Sequence, residues 1–464
     1  MKRYSRFSVT LLTLSIAFVF LFSGFAVAAG KYGYIDTTGE IVIAPQWDYA
    51  FPFQSNGVAK VFKGTTYQFD DYPKEGLYGL IDTSGNIISD LQWSHMGDFS
   101  NGLADVEKNG KCGYIDAHGN VVIEPQWDYA APFDSNGLAI VYNGKILETF
   151  HAPIGGLYGY IDLEGKTVLD LRWSNAMRFT EGLASVQKDG KFGFIDVKGN
   201  MVIEPQWDHA GPFDSNGIAR VFNGSLDQFG FLKDGLYGFI DKNGNTLSDI
   251  QWQNVSAFYE GLAVVQKDGT CGYVDTEGNL AIQRQWYSAD KFGSDGIARV
   301  SVIASLQEDT YQEIFGFIDE EGKLISDLQW SDAGPFSNGL AYVKKDELYG
   351  YINTKGEVVI APQWFSAHSF TDDGIARVEK RTVLDNGSKV LDYRYIGYIR
   401  KDGGIVSDFQ WTDASDFSEG LAYVKKDGKY GYINMNGDIV IDLQFSHAGP
   451  FSQGRAVFAP MGAK

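Results

Sequence analysis

The chain has 464 residues and is acidic, with 39 Lys and Arg against 59 Asp and Glu and a formal net charge of −20. This balance argues against nucleic acid and anionic lipid as partners, because both are bound by basic surfaces. The two cysteines, Cys112 and Cys271, are too few for a disulfide framework, and we expect them to be small apolar core residues.

Residues 1–29 have the pattern of a secretory signal peptide. Three basic residues precede a long apolar run, and the small residues 26–29 follow it. Cleavage is expected among these small residues, and an uncleaved membrane anchor is the alternative. Removal of the segment leaves 36 basic and 59 acidic residues, a formal charge of −23. The protein is therefore predicted to be secreted or to lie at the cell surface, without membrane contact after signal removal.

Residues 30–464 repeat one phrase eleven times. KYGYIDTTGEIVIAPQWD begins at Lys31 and returns as KCGYIDAHGNVVIEPQWD at Lys111. The units begin near residues 31, 77, 111, 157, 191, 236, 270, 315, 348, 395 and 429. All ten tryptophans occupy one slot of this phrase, and a phenylalanine fills the eleventh: Trp47, Trp93, Trp127, Trp173, Trp207, Trp252, Trp286, Trp330, Trp364, Trp411 and Phe445. Such a fixed recurrence indicates a tandem repeat array.

Short runs of alternating apolar and polar residues predict strands rather than helices. GLASVQK at 182–188 and YGYID at 158–162 are two such runs, and Gly or Pro interrupts the chain between them. We expect about three short strands in each unit, arranged as a meander. Gly39 is expected in the left-handed region of a hairpin loop, and Asn109-Gly110 in a tight primed turn.

The predicted fold class is all-β, a tandem array of about eleven three-stranded meander units. An open or superhelical β-solenoid is preferred, because closed propellers usually have 4–8 blades. The alternative is a closed, propeller-like ring. It is suggested by the chain ends, since the array starts at the second strand of a unit and ends at 454–460 with a first strand.

The repeated phrase resembles the WG-repeat (KWG-repeat) proteins of bacteria, over residues 31–460. Aromatic-Gly-aromatic-Ile-Asp, then Gly, Val-Ile, Pro and Gly-Leu-Ala recur in the expected order. The chain departs from that pattern in having Tyr, Phe, Cys or Ile where the name-giving Trp would lie. The resemblance implies a repeat architecture and no particular activity.

We expect the eleven Trp-slot residues to form the structural core of the repeat. A glycine inside a strand marks a close approach by another group. Our hypothesis is that each Trp ring packs over the glycine of the YGY phrase and the alanine of the GLA phrase. Rings of this size bury enough apolar surface to supply most of the core.

No pattern of catalytic or metal-binding residues occurs in the chain, so we predict no enzyme activity, no cofactor and no metal. His95, His209 and His447 share one slot, but they are too far apart in the array to bind one ion. The Asp that closes each YID phrase is interpreted as a turn residue rather than part of a calcium ladder, because Arg400 takes its place in one unit.

Only five inserts differ from unit to unit, at 63–76, 143–156, 223–235, 302–314 and 380–395. Insertions in repeat proteins often form the binding face. The candidate contact residues are Tyr67, Phe69, Tyr72, Phe150, His151, Phe229, Phe231, Tyr311, Tyr393 and Tyr395. The simpler interpretation is that the inserts are longer hairpins that extend the sheets.

Two functions fit these features. The first is an exported, non-catalytic scaffold that binds a protein or another macromolecule, possibly a glycan, at the cell surface or outside the cell. The second is an array of carbohydrate- or cell-wall-binding modules, which would expose the repeat aromatics for stacking on sugars. The burial of the Trp rings distinguishes the two.

Overall fold

Strands form along the whole repeat region, because β-branched and aromatic residues alternate with polar ones between regularly spaced turns. The computed structural model describes residues 31–67, 72–147, 152–226, 232–307, 310–385 and 390–462. These residues contain no helix long and apolar enough to cross a membrane. The predicted signal peptide lies outside the described residues.

The strands form ten antiparallel sheets, nine of four strands and one of seven. The seven-stranded sheet joins the first and the last repeat unit, and its two parts are called sheet 1 and sheet 11. Sheet 1 contains β1 (Tyr32–Asp36) and β2 (Ile41–Trp47). Sheets 2 to 4 consist of β3 (Tyr49–Ala50), β4 (Val58–Thr66), β5 (Pro73–Asp82), β6 (Ile87–Trp93); β7 (His95–Met96), β8 (Leu103–Lys108), β9 (Lys111–Asp116), β10 (Val121–Trp127); and β11 (Tyr129–Ala130), β12 (Ala139–Leu147), β13 (Ala152–Ile161), β14 (Thr167–Trp173).

Sheets 5 to 7 repeat this order. They consist of β15 (Asn175–Ala176), β16 (Leu183–Lys188), β17 (Lys191–Asp196), β18 (Met201–Trp207); β19 (His209–Phe213), β20 (Ile218–Leu226), β21 (Leu232–Asp241), β22 (Thr246–Trp252); and β23 (Asn254–Val255), β24 (Leu262–Lys267), β25 (Thr270–Asp275), β26 (Leu280–Trp286).

The remaining sheets follow the same plan. Sheets 8 to 10 consist of β27 (Ser288–Ala289), β28 (Ala298–Gln307), β29 (Thr310–Ile318), β30 (Leu324–Trp330); β31 (Asp332–Ala333), β32 (Leu340–Lys345), β33 (Leu348–Asn353), β34 (Val358–Trp364); and β35 (Ser366–Ala367), β36 (Ile375–Asp385), β37 (Val390–Arg400), β38 (Ile405–Trp411). Sheet 11 consists of β39 (Asp413–Ala414), β40 (Leu421–Lys426), β41 (Lys429–Asn434) and β42 (Ile439–Ser452), and the last strand is β43 (Arg455–Pro460).

Each sheet has one strand more than the three that the sequence predicts. The extra strand, usually two residues long, follows the Trp directly; in sheet 2, Tyr49 and Ala50 pair with Phe62 and Val61. Two residues are too few to show an alternating pattern. The prediction of three strands missed this strand, whereas the all-β tandem array of eleven units is confirmed.

The predicted turns are present. Gly39 has a φ of 86°, so it occupies the left-handed region that glycine enters without a steric penalty. Asn109 and Gly110 have φ values of 54° and 72°, as a primed hairpin turn requires.

The described core consists of eleven apolar clusters, each between two neighbouring sheets. Between sheets 1 and 2, Trp47 and Val457 of sheet 1 pack with Ala59 and Val61 of sheet 2. The cluster between sheets 11 and 1 contains Tyr432 and Phe458. Eleven sheets in an open row have only ten interfaces, so the eleventh cluster joins the two ends.

The backbone also joins these ends. Among the described strands no sheet closes into a barrel, but β43 pairs with β1 in antiparallel register, with Tyr34 opposite Val457 and Ile35 opposite Ala456. Strand β42 is shared by sheets 11 and 1, which gives one continuous sheet in the order β2-β1-β43-β42-β41-β40-β39. The structure therefore has the terminal pairing expected of the alternative, a closed propeller-like ring, in place of the free ends expected of an open array.

The glycine of the YGY phrase packs against the backbone of the next strand of its sheet, and not against an indole ring. A Cβ on Gly113 would lie 2.6 Å from the backbone nitrogen of Pro125 and 2.8 Å from the carbonyl carbon of Glu124, and Gly193 meets Pro205 and Glu204 in the same way. The register shift between β9 and β10 brings this segment close. The expectation of a close approach was correct, but the Trp ring was the wrong partner.

The predicted packing of each Trp ring against the alanine of the GLA phrase agrees with the structure. Trp47 shares a cluster with Ala59, Trp127 with Ala139, and Phe445 with Ala456, the alanine in each case coming from the next sheet.

Cys112 and Cys271 are buried and unpaired. Burial raises the pKa of the Cys112 thiol to about 11, which keeps it in its apolar, protonated form.

Candidate binding surface on the long hairpins

The five inserts form long β-hairpins on the even-numbered sheets. Each joins the second and third strands of its sheet, as β4–β5, β12–β13, β20–β21, β28–β29 and β36–β37. The same connection is a tight turn in sheets 3, 5, 7, 9 and 11. Because equivalent connections of equivalent sheets point the same way, the long hairpins project from one side of the array. The inserts thus extend the sheets, as the simpler interpretation proposed.

The described candidate residues are on two of these hairpins. Tyr67 and Tyr72, on the hairpin of sheet 2, are 52% and 50% exposed. Tyr393 and Tyr395 lie on β37 of sheet 10, where Tyr393 is exposed and Tyr395 half-buried. Five other candidates lie outside the described residues: Phe69, Phe150, His151, Phe229 and Phe231. For Tyr311, only the backbone is described.

The two tyrosines of sheet 2 lie next to an aromatic cluster at the base of their hairpin. The Tyr72 ring centroid is 5.6 Å from that of Tyr49 and 6.2 Å from that of Phe51. The Lys60 ammonium lies 4.8 Å from the centroid of Phe51, within the range of a cation–π contact. Tyr72 is therefore a rigidly supported aromatic side chain with half of its surface open to solvent.

The tyrosines of sheet 10 form a separate pair. Their rings are stacked, with centroids 6.1 Å apart and an interplanar angle of 16°. Because sheets 2 and 10 are not neighbours, the structure does not bring the four described candidates into one pocket. Together they can serve only an extended contact surface.

The turn carboxylates are used by the turns themselves. Asp36 Oδ1 accepts hydrogen bonds from the backbone N–H groups of Thr38 and Glu40, at 2.9 and 3.1 Å. Asn353 makes the same two bonds in its own turn. Hydrogen bonds from the side chain and backbone of Asn200 hold the pKa of Asp196 below its usual value. Asp and Asn side chains thus cap these turns by accepting hydrogen bonds from local backbone N–H groups.

The three histidines of the shared slot have unrelated surroundings. His95 Nε2 is 3.1 Å from Asp105 Oδ2, whereas the ring of His447 packs edge-on against Tyr32. Burial lowers the pKa of His209. Within the described ranges, no three or more His, Cys, Asp or Glu side chains are arranged to hold a metal ion.

All ten Trp-slot indoles are buried, with exposures of 1% to 6%. Four of them donate their Nε1 hydrogen to the serine four residues earlier: Trp93 to Ser89, Trp252 to Ser248, Trp330 to Ser326 and Trp411 to Ser407. These rings are unavailable for stacking on a sugar. The repeat tryptophans therefore lack the exposure that the carbohydrate-binding alternative requires.

A cavity of about 830 Å³, which none of the predicted contact residues lines, lies between sheets 9 and 10. Its lining includes Tyr349, Phe365, Lys380, Arg381 and Arg394. A comparison of the repeats with one another would have found it, because Arg381 and Arg394 stand where the hairpins of sheets 2, 4 and 6 have glycines.

Comparison with solved structures gives weak likenesses only. A eukaryotic initiation factor matches with a TM-score of 0.39 and 11% identity, over 71% of this chain and 92% of the other. Tricorn protease matches with a TM-score of 0.26 and 11% identity, over 83% of this chain and 44% of the other. Apo AztD from Citrobacter koseri matches with a TM-score of 0.25 and 13% identity, over 67% and 92%. No curated protein matches the sequence.

The family comparison covers nearly the whole repeat region. The family described as WG containing repeat matches eleven times, at residues 32–67, 78–112, 113–145, 158–192, 192–226, 237–271, 272–302, 315–349, 349–381, 396–430 and 430–459. These matches follow the eleven units that the Trp slot defines. The resemblance drawn from the sequence is confirmed, and the chain belongs to the WG containing repeat family.

Proposed function

We propose that the protein is an exported, non-catalytic scaffold that binds a protein or another cell-surface macromolecule through its five long hairpins. The observation that carries the proposal is their arrangement. Five hairpins of different sequence and length project from one side of an array that is otherwise repetitive. A recurring framework with varied projections is how repeat proteins present extended binding surfaces.

The described hairpin residues supply suitable contact chemistry. Tyr67, Tyr72 and Tyr393 expose aromatic surface, which is enriched at the centres of protein interfaces. Lys74 Nζ lies 5.8 Å from the ring centroid of Tyr67 and adds a charged neighbour. Each hairpin is supported by a four-stranded sheet, so little ordering entropy is lost on binding.

The proposal of a non-catalytic role rests on the structural hydrogen bonds that the recurring carboxylates and hydroxyls make. The recurring carboxylates cap turns, and the recurring hydroxyls bond to backbone or indole groups, as Asp36 and Ser326 do. Export is proposed from the signal pattern at residues 1–29, which agrees with the acidic composition.

The test replaces long hairpins by the turn that the same chain uses elsewhere. In the full variant, Lys-Asn-Gly-Lys from 108–111 replaces each insert, and the mature chain and the variant are compared in binding to surface material of the producing cell. Far-ultraviolet circular dichroism and buried Trp emission verify that the variant is folded. The proposal predicts that the partner bound by the mature chain is lost from the variant. Retention of that partner at equal amount would refute it.

Single-hairpin variants then locate the contact. Replacing only the hairpin of sheet 2 removes Tyr67 and Tyr72, whereas replacing only the hairpin of sheet 6 leaves both in place. Added soluble glycan serves as the competitor for a sugar partner. Competition by glycan with unchanged, protected Trp emission would assign a glycan partner to the hairpins rather than to the repeat tryptophans.

A further inference from the structure

One groove departs from the repeat pattern at several of the positions that line it. It lies between the tight hairpin of sheet 9, at residues 344–349, and the base of the long hairpin of sheet 10, at residues 379–382 and 394. The groove has a volume of about 830 Å³ and is on the same side of the array as the long hairpins. We call it the 9–10 groove.

The corresponding position between sheets 3 and 4 contains a structural ion pair. Lys111 Nζ lies 2.6 Å from Asp128 Oδ1, and Asp128 Oδ2 accepts a 2.9 Å hydrogen bond from the backbone N–H of Gly144. Lys191, Asp208 and Gly224 repeat the arrangement between sheets 5 and 6, at 2.6 and 3.0 Å. This Lys–Asp–Gly motif connects the two sheets and fills the space between their hairpins.

The 9–10 groove has lost all three members of that motif. Leu348, Phe365 and Arg381 occupy the positions of the lysine, the aspartate and the glycine. The replacement removes the ion pair and leaves an open space walled by an aromatic ring and a guanidinium group.

The glycine that Arg381 replaces belongs to a pair that face each other across the hairpin in other sheets. In sheet 2, Gly64 lies directly opposite Gly76, and the ring of Phe62 covers both. In sheet 10, Arg381 lies directly opposite Arg394. Like charges that face each other across two strands destabilise a sheet. The pair is thus a local cost that the glycine pairs of sheets 2, 4 and 6 avoid.

The two arginines are held by the same ring. Their guanidinium carbons lie 5.3 Å (Arg381) and 4.7 Å (Arg394) from the centroid of Phe365. Cation–π contact with one ring orients both groups and restricts their motion before any ligand arrives. The nearby Lys380 is held in a similar way, 4.2 Å from the ring centroid of Phe409.

The tight hairpin of sheet 9, on the other side of the groove, also contains a residue in an energetically unfavourable conformation. Glu347 has a φ of 67°, at the turn position that Gly110, Gly190, Gly269 and Gly428 occupy in sheets 3, 5, 7 and 11. A side chain in this conformation costs roughly 1–2 kcal/mol. Its carboxylate is 3.3 Å from Lys344 Nζ at the edge of the groove. Locally unfavourable choices that cluster at one place are the expected mark of a functional site.

The charge of the groove differs from that of the chain. Four cationic side chains, Lys344, Lys380, Arg381 and Arg394, line it together with two carboxylates, Glu347 and Glu379, whereas the whole chain has a net charge of −20. Guanidinium groups bind carboxylate and phosphate through paired N–H donors, with a geometry that lysine does not offer.

We propose that the 9–10 groove binds a small ligand through an oxyanion group, a phosphate or a carboxylate, held by Arg381 and Arg394. The cationic side chains lie around the oxyanion, and the carboxylates of Glu347 and Glu379 accept hydrogen bonds from neutral donors elsewhere on the ligand. The two carboxylates disfavour a polyanion, so the ligand carries one compact anionic group. This site is additional to the hairpin surface proposed above and does not depend on it.

The test uses inorganic phosphate and acetate as separate probes of the mature chain at constant ionic strength, measured by titration calorimetry and by the shift of the melting temperature. Arg381→Gln with Arg394→Gln removes the guanidinium pair and keeps the side-chain length. The matched control is Lys63→Gln with Lys74→Gln, which removes two charges from the hairpin of sheet 2. We expect binding of at least one probe that the arginine variant weakens about tenfold or more, while the control leaves it unchanged.

A third variant separates a binding role from a structural one. Arg381→Lys with Arg394→Lys keeps both charges but loses the paired donors, so its affinity should fall between those of the wild-type chain and the glutamine variant. Far-ultraviolet circular dichroism and buried Trp emission verify that the glutamine and lysine variants are folded like the wild-type chain. Phosphate binding alone or acetate binding alone identifies the anionic group. No binding of either probe, or equal weakening in the control, overturns the proposal.

Discussion

Ser452 Oγ donates a hydrogen bond to the carbonyl oxygen of Phe53, 2.7 Å away and 399 residues distant in the sequence. The same bond joins Ser100 to Phe133 and Ser418 to Phe451, in each case from one sheet to the next. The contact between the two chain ends is thus chemically the same as the contacts inside the array. The ends of the array behave as two neighbouring units.

Ser452→Ala should therefore cost as much as the same substitution inside the array. Loss of one partly buried hydrogen bond is expected to lower the free energy of unfolding by about 0.5–1.5 kcal/mol. Ser100→Ala and Ser418→Ala are the internal controls, and urea denaturation measures all three. A neutral Ser452→Ala beside two destabilising controls would show that the ends do not meet.

The repeat glycine should not tolerate a methyl group. In Gly113→Ala, the added Cβ would lie 2.6 Å from the backbone nitrogen of Pro125, and backbone cannot move aside as a flexible side chain can. We expect a loss of about 2–4 kcal/mol in thermal or urea unfolding.

Gly211→Ala is the matched control for this substitution. Its Cβ would meet only the carbonyl oxygen of Arg220, at an ordinary 3.7 Å. The expected change is within about 0.5 kcal/mol. If the two alanine variants were equally stable, the close packing of the bulged strand over the repeat glycine would be disproved.

The serine that accepts the indole hydrogen bond should stabilise its sheet. Trp330 Nε1 donates to Ser326 Oγ at 2.9 Å, and both side chains are buried. Ser326→Ala leaves a buried donor without an acceptor and should cost about 1–3 kcal/mol. Ser331→Ala, which removes an exposed hydroxyl that bonds to the carbonyl of Lys344, should cost clearly less. Chemical denaturation with Trp emission as the signal compares them, and equal losses would contradict the role of Ser326.

Alkaline pH should unfold the protein. Seven buried tyrosines each donate their hydroxyl to a backbone carbonyl 17 residues later: Tyr34, Tyr114, Tyr160, Tyr273, Tyr351, Tyr398 and Tyr432. Burial raises the pKa of each above its usual value near 10.

The sign of the pH effect follows from these directions. A tyrosine whose folded pKa exceeds its unfolded pKa contributes stability that is complete below about pH 10 and is lost as the pH rises toward the folded value. Urea unfolding between about pH 8 and pH 11 should show a free energy that falls only above about pH 10. Tyr273→Phe should make that fall less steep. A free energy that stays constant through this range would contradict the burial of these hydroxyls.

The sequence predicts the repeat unit, the strand runs and the turns, because each is written in local residue spacing. Gly39 and the Asn109-Gly110 pair, for example, announce their turns directly. The two-residue strand at Tyr49 has no such signal, since pairing with a neighbouring strand alone defines it. The partner of Gly113 also escaped prediction, because a register shift between β9 and β10 determines it.

The candidate site was also predicted only where the sequence contains a local signal. The inserts were recognised as the variable part of the chain, and Tyr67 and Tyr72 are exposed there. The 9–10 groove went unrecognised because it depends on which strands face each other. Arg381 and Arg394 are 13 positions apart in the sequence, and only the hairpin register places them opposite each other.

The distance between the two chain ends tests the closed array most directly. Thr37 and Gln453 are exposed and adjoin the paired strands β1 and β43, so each can be replaced by a spin-labelled cysteine. Paired strands lie about 4.8 Å apart, and a closed array therefore predicts a distance at the short end of the measurable range. Eleven sheets packed about 10 Å apart in an open row would separate the labels by about 100 Å, and a long distance of that order would contradict the closure.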